Sequence, residues 1–264
     1  MPYHEPVIIE RRELGALRHL TLLSPELARA ARPGHYALAR CAPPESADPL
    51  LRRYLFFAGA DPAAGTAELL IDPDERGLAW LAAQPAGARL DLLGPLGAPF
   101  TLDGRTRNLL LAGAGPALPA LIFLARAAAA GGIAGVLLAA AQGAERLPPP
   151  FLLPPDLEYQ SSADGPASLI GLLGAPSPGG AIFDSPIAWA DQICLALAED
   201  LIAPAADAVR AGRMRWGRGF AQAALAGPTP CGVGTCQSCL VDTRDGLRAR
   251  CKDGPVFDLR DLRG

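Results

Sequence analysis

The sequence predicts a β-plus-α/β architecture in three parts: an antiparallel β-barrel over 1–103, a Rossmann-like parallel α/β domain over 104–218, and a small C-terminal lobe over 219–264. Three observations predict it. Six short runs of strand-forming residues, separated by turn clusters, fill the first hundred positions. After Gly104 the pattern switches to an apolar run, a helical run and a second apolar run. Four cysteines then fall within twenty-one residues near the C-terminus.

The barrel strands are VIIERREL, LRHLTLLS, HYALARCA, RRYLFFAG, TAELLID and ARLDLLG, divided by SPE, RPG, PPESADP and DPAAG. Proline, glycine and serine set turn dihedrals there, and one helical stretch, LAWLAAQ, interrupts the series. In the second part RNLLLAGAG is a buried strand, ALPALIFLARAAAA a helix and AGVLLAAAQ another buried strand. Apolar strands alternating with a helix imply a parallel sheet covered on its faces. QICLALA and EDLIAPAADAVRAG add a further strand and helix, with a proline-rich loop at 145–155 and a Gly/Pro/Ser loop at 174–180. The stretch Asn108–Ala130 is apolar enough to raise the question of a membrane span. Gly113, Gly115, Pro116, Pro119 and Arg126 break it into strand, turn and helix.

Cys231, Cys236, Cys239 and Cys251 read C-x4-C-x2-C-x11-C. The first three match the plant-type iron–sulfur spacing, in which a fourth thiolate arrives from downstream. An anionic cluster asks its loop to aim backbone N–H groups at the sulfurs, and Gly232 and Gly234 tolerate the dihedrals this requires. Structural zinc is the competing reading, although it usually presents two C-x2-C knuckles and only one is present. A disulfide framework is the third. It suits a secreted chain, whereas MPYHEPVIIERREL has no basic stretch followed by an apolar one, which predicts the reducing cytosol. Cys41 and Cys194 stand alone in apolar surroundings, as small core residues do.

Charged residues make up 19 % of the 264-residue chain, hydrophobic ones 50 %, and the net charge is −3. No basic field exists to attract nucleic acid. His4, His19 and His35 have no nucleophile or metal partner at a telling spacing and read as surface or satisfied core histidines. Trp80, Trp189 and Trp216 suit core or interface positions, and Asp242, Asp245, Asp253 and Asp258 a solvated face near the cysteines.

This order of parts resembles the ferredoxin-reductase superfamily, and within it the electron-transfer subunits of two-subunit, NAD-linked dihydroorotate dehydrogenases. The resemblance is carried by PCGVGTCQSC, by CKDGPVF at 251–257 and by LLGPLGAPF at 92–100. It implies FAD in the barrel, a [2Fe-2S] cluster on the four cysteines, NADH at the α/β domain, and a separate FMN-bearing subunit that oxidises dihydroorotate. The family's Arg-Pro-Ile-Ser falls on Arg53-Tyr54-Leu55-Phe56, so the arginine that pairs with the flavin or its diphosphate is kept and the ring-binding serine is Phe56. The next flavin strand falls on Leu70-Ile71-Asp72, with a carboxylate where a cation faces phosphate, and the diphosphate-binding Gly-Thr falls on Gly77-Leu78.

Departures are heavier in the α/β domain. The family's glycine turn corresponds to Ala112-Gly113-Ala114-Gly115-Pro116-Ala117-Leu118-Pro119, where Pro116 removes an N–H a phosphate would use. Cys194-Leu195-Ala196-Leu197-Ala198 replaces the family's Cys-Gly-Pro beside the nicotinamide. The implied function is a cytoplasmic, non-catalytic electron-transfer subunit in a hetero-oligomer with a flavoprotein, acting in pyrimidine biosynthesis, with NAD(H) binding in doubt. The alternatives are a reductase subunit for another partner, of hydrogenase or transhydrogenase type, and a cluster-bearing wire or assembly subunit that has lost nicotinamide binding, with or without FAD.

Overall fold

The computed structural model describes residues 2–175 and 185–263, so positions 176–180 of the expected 174–180 loop lie outside the described residues. In the first part, β1 (Tyr3–His4), β2 (Val7–Leu14), β3 (Leu17–Leu23), β4 (Tyr36–Ala39), β5 (Arg53–Asp61), β6 (Thr66–Ile71) and β7 (Leu92–Leu96) form an antiparallel sheet. Its order is β1-β7-β4-β5-β6-β3-β2. The sheet curls as a half-barrel, and Ile8 N–H donates to the Ala88 carbonyl at 2.9 Å, tying the β2 edge back to the segment before β7. Two helices accompany it, α1 (Pro25–Ala30) and α2 (Arg76–Ala82). The SPE cluster, expected as a turn, opens α1. Ser24 Oγ accepts the Leu27 N–H and Pro25 takes a first-turn position that needs no donor.

The second sheet is built from β8 (Asn108–Ala114), β9 (Ala134–Ala140), β10 (Glu158–Ser162), β11 (Gln192–Leu197), β12 (Ala221–Leu225) and β15 (Val256–Asp258), in the order β10-β9-β8-β11-β12-β15. All its pairings are parallel except β12 with β15. Residues 221–225 and 256–258 fall in the segment assigned by sequence to the cysteine lobe, yet they are strands of this sheet. β15 is too short to read as a strand on its own and takes its conformation from pairing with β12. The edge strand β10 and the helices α4 (Ser168–Gly174) and α5 (Pro186–Trp189) lie between β9 and β11, where the sequence reads only as loops.

Helix α3 (Leu118–Ala130) explains the apolar stretch. It packs against β5 of the half-barrel and also against β8, β9 and β11 of the second sheet, so nine of its thirteen side chains are buried. A helix covered on both sides has little use for a polar face. Among the described residues, no helix is long and apolar enough to cross a membrane. Helix α6 (Ile202–Gly212) keeps the usual one-sided burial.

A buried polar knot joins the two sheets. Glu68 on β6 accepts from Arg126 Nη1 of α3 at 2.7 Å and pairs with His19 Nε2 of β3 at 2.9 Å. Burial alone would push the Glu68 carboxyl up, but hydrogen bonds from His19 and Arg126 pull it down to about 2. Cys41 and Cys194 are buried core thiols, the first pushed up to about 12 by desolvation. Trp216 lies 5.9 Å from the Phe220 ring, beside the α/β core.

Candidate functional site

The cysteine lobe spans the turn after β12 and the hairpin of β13 (Leu240–Thr243) and β14 (Gly246–Ala249), then the single turn α7 (Arg250–Asp253) before β15. Cys231 and Cys236 lie on the loop, Cys239 at its end and Cys251 on α7. Gly232 and Gly234 have φ of +66° and +80°, a region that favours glycine, so the loop can wrap tightly. The Gly234 N–H points at the Cys251 sulfur at 3.1 Å. Backbone N–H groups of Cys236 and Val233 draw the Cys231 thiol down, whereas burial and the neighbouring Cys239 push Cys251 up.

Among the described residues no three Cys, His, Asp or Glu side chains converge on a single point. The thiols stand instead in two contacting pairs, Cys231 with Cys236 and Cys239 with Cys251. A two-iron cluster with four thiolate ligands takes two per iron, a division that this pairing can supply. The donor set therefore fits the cluster.

The lobe is locked to the half-barrel by the two segments that carried the resemblance. Ala98 N–H donates to the Gly254 carbonyl at 2.6 Å, and a Cβ on Gly97 would lie 2.3 Å from Pro255 Cδ. Tyr36 Oη donates to the Cys251 carbonyl at 3.1 Å, which puts a half-barrel phenol against a proposed cluster ligand. Its ring lies 6.2 Å from Phe56, and Phe56 lies 6.3 Å from Tyr54. Nothing in the sequence marked Tyr36. Only the fold brings positions 36 and 251 together.

On the other side of these rings a cavity of about 430 Å³ opens between the half-barrel and the second sheet. Arg53, Tyr54, Leu55, Phe56, Leu70, Ile71, Asp72 and Leu78 line it. Gly77 lies beneath, with room for a Cβ only 2.9 Å from Glu75 Oε1. Asp72, expected to repel phosphate, is paired with Arg146 from the proline-rich loop. The cavity's most specific polar feature is Glu75. It accepts from Arg53 Nε at 2.8 Å, from Arg53 Nη2 at 2.9 Å and from the Leu78 N–H at 2.7 Å, and the Gly77 N–H also bonds to it. The third Arg53 nitrogen donates to the Leu51 carbonyl at 2.6 Å. The side-chain pair with Arg53 holds the Glu75 carboxyl below the usual range. Sequence reading passed over Glu75, although an acidic residue directly before a helical run is a capping signal.

In the α/β domain Gly113 is a packing glycine. A Cβ there would lie 2.7 Å from Leu121 and 2.9 Å from Ala196. Gly115 and Pro116 form a 3-10 turn at the cavity rim, and α3 begins with no side-chain cap. Cys194–Leu197 lie inside β11 between β8 and β12, fully buried.

Comparison with known proteins agrees with this arrangement. A model of the iron–sulfur cluster binding domain of dihydroorotate dehydrogenase B matches residues 230–263. The dihydroorotate dehydrogenase B (NAD(+)) electron transfer subunit of Shouchella clausii is 30 % identical over 97 % of this chain and 96 % of its own. The chain belongs to this family of electron transfer subunits. Its counterpart from Geobacillus thermodenitrificans is 34 % identical over 48 % of this chain and 49 % of its own. Among solved structures, a chain of the NADH-dependent reduced ferredoxin-NADP oxidoreductase superposes with a TM-score of 0.74 at 18 % identity, over 98 % of this chain and 90 % of that one. The ferredoxin reductase of carbazole 1,9a-dioxygenase superposes with a TM-score of 0.59 at 22 % identity, over 80 % of this chain and 65 % of that one. At those identities the likeness is one of fold, and the fold is of the ferredoxin-reductase type. The electron transfer subunit thus keeps an antiparallel half-barrel, a parallel α/β sheet and a cysteine-rich lobe.

Proposed function

We propose that this subunit carries a [2Fe-2S] cluster on Cys231, Cys236, Cys239 and Cys251 and exchanges electrons one at a time with a flavoprotein partner, the catalytic subunit of a dihydroorotate dehydrogenase. The observation that carries the reading is the pairing of the four thiols, three from the loop and one from α7, with the Gly234 N–H of the loop aimed at the Cys251 sulfur. Such a cluster supplies one-electron chemistry at a potential set by hydrogen bonds, charge and burial. The chain's own part is to hold the four thiolates, donate the Gly234 N–H to Cys251, and seat α7 against the half-barrel through Tyr36 and Ala98. It does no chemistry on the carbon substrate.

Two further expectations bear on the electron route. The fold is of the FAD-binding type, and the cavity is lined by Arg53–Phe56, the stretch that the resemblance gives to the flavin. The donors a diphosphate needs are engaged by Glu75, however, so no step is drawn through FAD. Pro116 likewise offers no N–H in the turn before α3 for a dinucleotide. The reading is therefore a cluster-bearing carrier within a hetero-oligomer.

Anaerobically prepared protein is expected to contain about two irons and two sulfides per chain and to give a rhombic electron paramagnetic resonance signal on reduction. Cys236→Ser should abolish that signal. Stoichiometric zinc without sulfide would overturn the proposal.

A further inference from the structure

We infer that Glu75 is a built-in anion occupying the place of the flavin diphosphate, and that it excludes FAD from this subunit. Three donors mark that place: the Arg53 guanidinium and the Gly77 and Leu78 N–H groups. They come from two separated segments, the start of β5 and the first turn of α2. All three converge on one carboxylate, at 2.8 and 2.9 Å from the guanidinium and 2.7 Å from Leu78 N–H, with the Gly77 N–H alongside. An arginine fork on a carboxylate at a helix N-terminus has the chemistry of an arginine fork on a phosphate there. With Nη1 donating to the Leu51 carbonyl, each of the three Arg53 nitrogens already has an acceptor within the chain.

An incoming diphosphate would face two costs. It would have to displace a charge-assisted, bidentate pair that belongs to the same chain and is therefore always at high effective concentration. The displaced carboxylate would then stay beside it, near Asp74 at the same cavity wall, with like charges a few ångströms apart. The other cation lining the cavity, Arg146, is already paired with Asp72. Each cationic group that would welcome phosphate thus has an internal carboxylate on it. What remains of the cavity is mainly apolar wall, chiefly Leu17, Tyr54, Ile71, Leu118 and Pro119, with Gln142 as an uncharged amide that offers a phosphate no balancing charge.

The inference does not depend on the cluster reading, because the two are measured separately on one sample. Full-length protein is purified, incubated with FAD and desalted, and bound flavin is read from its absorbance and by calorimetric titration. Iron and sulfide are assayed alongside, and circular dichroism reports the fold. Wild type is expected to leave desalting without flavin. Glu75→Ala frees all three donors and is expected to bind FAD at least about tenfold more tightly. Glu75→Gln, which keeps the capping shape and loses the charge, should fall between them. Stoichiometric FAD on the wild type would overturn the inference, and so would folded variants whose FAD affinity equals that of the wild type. Loss of iron and sulfide alone would count against the proposed function and leave this inference standing.

Discussion

At the scale of single residues, two contacts decide how the parts hold together. Gly97 has a φ of +81°, and a Cβ there would lie 2.3 Å from Pro255 Cδ and 2.8 Å from the Gly254 carbonyl. Gly97→Ala therefore meets backbone strain and a collision at once, and should cost about 2–4 kcal/mol, read as a lowered midpoint in thermal unfolding. A midpoint within a degree of wild type would show that the lobe does not dock this way. Glu68 supplies the second contact. Its carboxyl is depressed to about 2 in the fold, against about 4.3 in an unfolded chain. A depressed carboxyl stabilises the fold above the unfolded value. That stabilisation, at most about 3 kcal/mol, is lost as pH falls from about 4.3 toward 2. Acid titration of unfolding should therefore show a steep loss in this window, and Glu68→Gln should flatten it. An unchanged slope in the variant would exclude the His19–Glu68–Arg126 knot as its cause.

At the scale of elements, the cysteine loop and the β13–β14 hairpin contrast with the strands on either side. A two-stranded hairpin has too little core to stand alone. β12 and β15 are instead anchored in a six-stranded sheet, with Leu225 N–H donating to the Pro255 carbonyl at 3.0 Å. Removing the metal with a chelator should therefore loosen residues 228–253 and leave β8, β11 and β12 protected. Hydrogen exchange with and without the cluster checks this, and a cooperative loss across the whole α/β sheet would refute it. Helix α3 makes a different point at this scale. Its apolar character follows from two neighbouring sheets rather than from lipid.

At the scale of the whole molecule, the half-barrel and the α/β sheet meet at the cavity. On one side Glu75 accepts from Arg53 and the Leu78 N–H; on the other, Pro116 stands in the turn into α3 and has no N–H to give. For NADH the expected losses are the N–H that Pro116 lacks and the Cys-Gly-Pro that 194–198 replaces; at roughly 1.5–3 kcal/mol each, losing two weakens binding by more than about a hundredfold. NADH is accordingly expected to reduce the subunit poorly. Stopped-flow mixing should show no saturable absorbance change at micromolar NADH, whereas rapid, saturable bleaching would reveal nicotinamide contacts outside the altered turn.

The sequence by itself determined what depends on short spacings. The cysteine pattern, the glycines between the first two cysteines, the switch from alternating strands to a buried βαβ run, and the breaks inside Asn108–Ala130 are all local, and local dihedral and burial preferences decide them. The tertiary structure alone decided what depends on residues far apart in the chain. It set Tyr36 against Cys251, closed Arg53 on Glu75 and Asp72 on Arg146, and drew 221–225 and 256–258 out of the cysteine segment into the sheet. An arginine in a sequence keeps its charge but does not say which carboxylate will take it. The resemblance gives Arg53 to a cofactor, and the fold also brings Glu75, twenty-two positions on, within 2.8 Å of it.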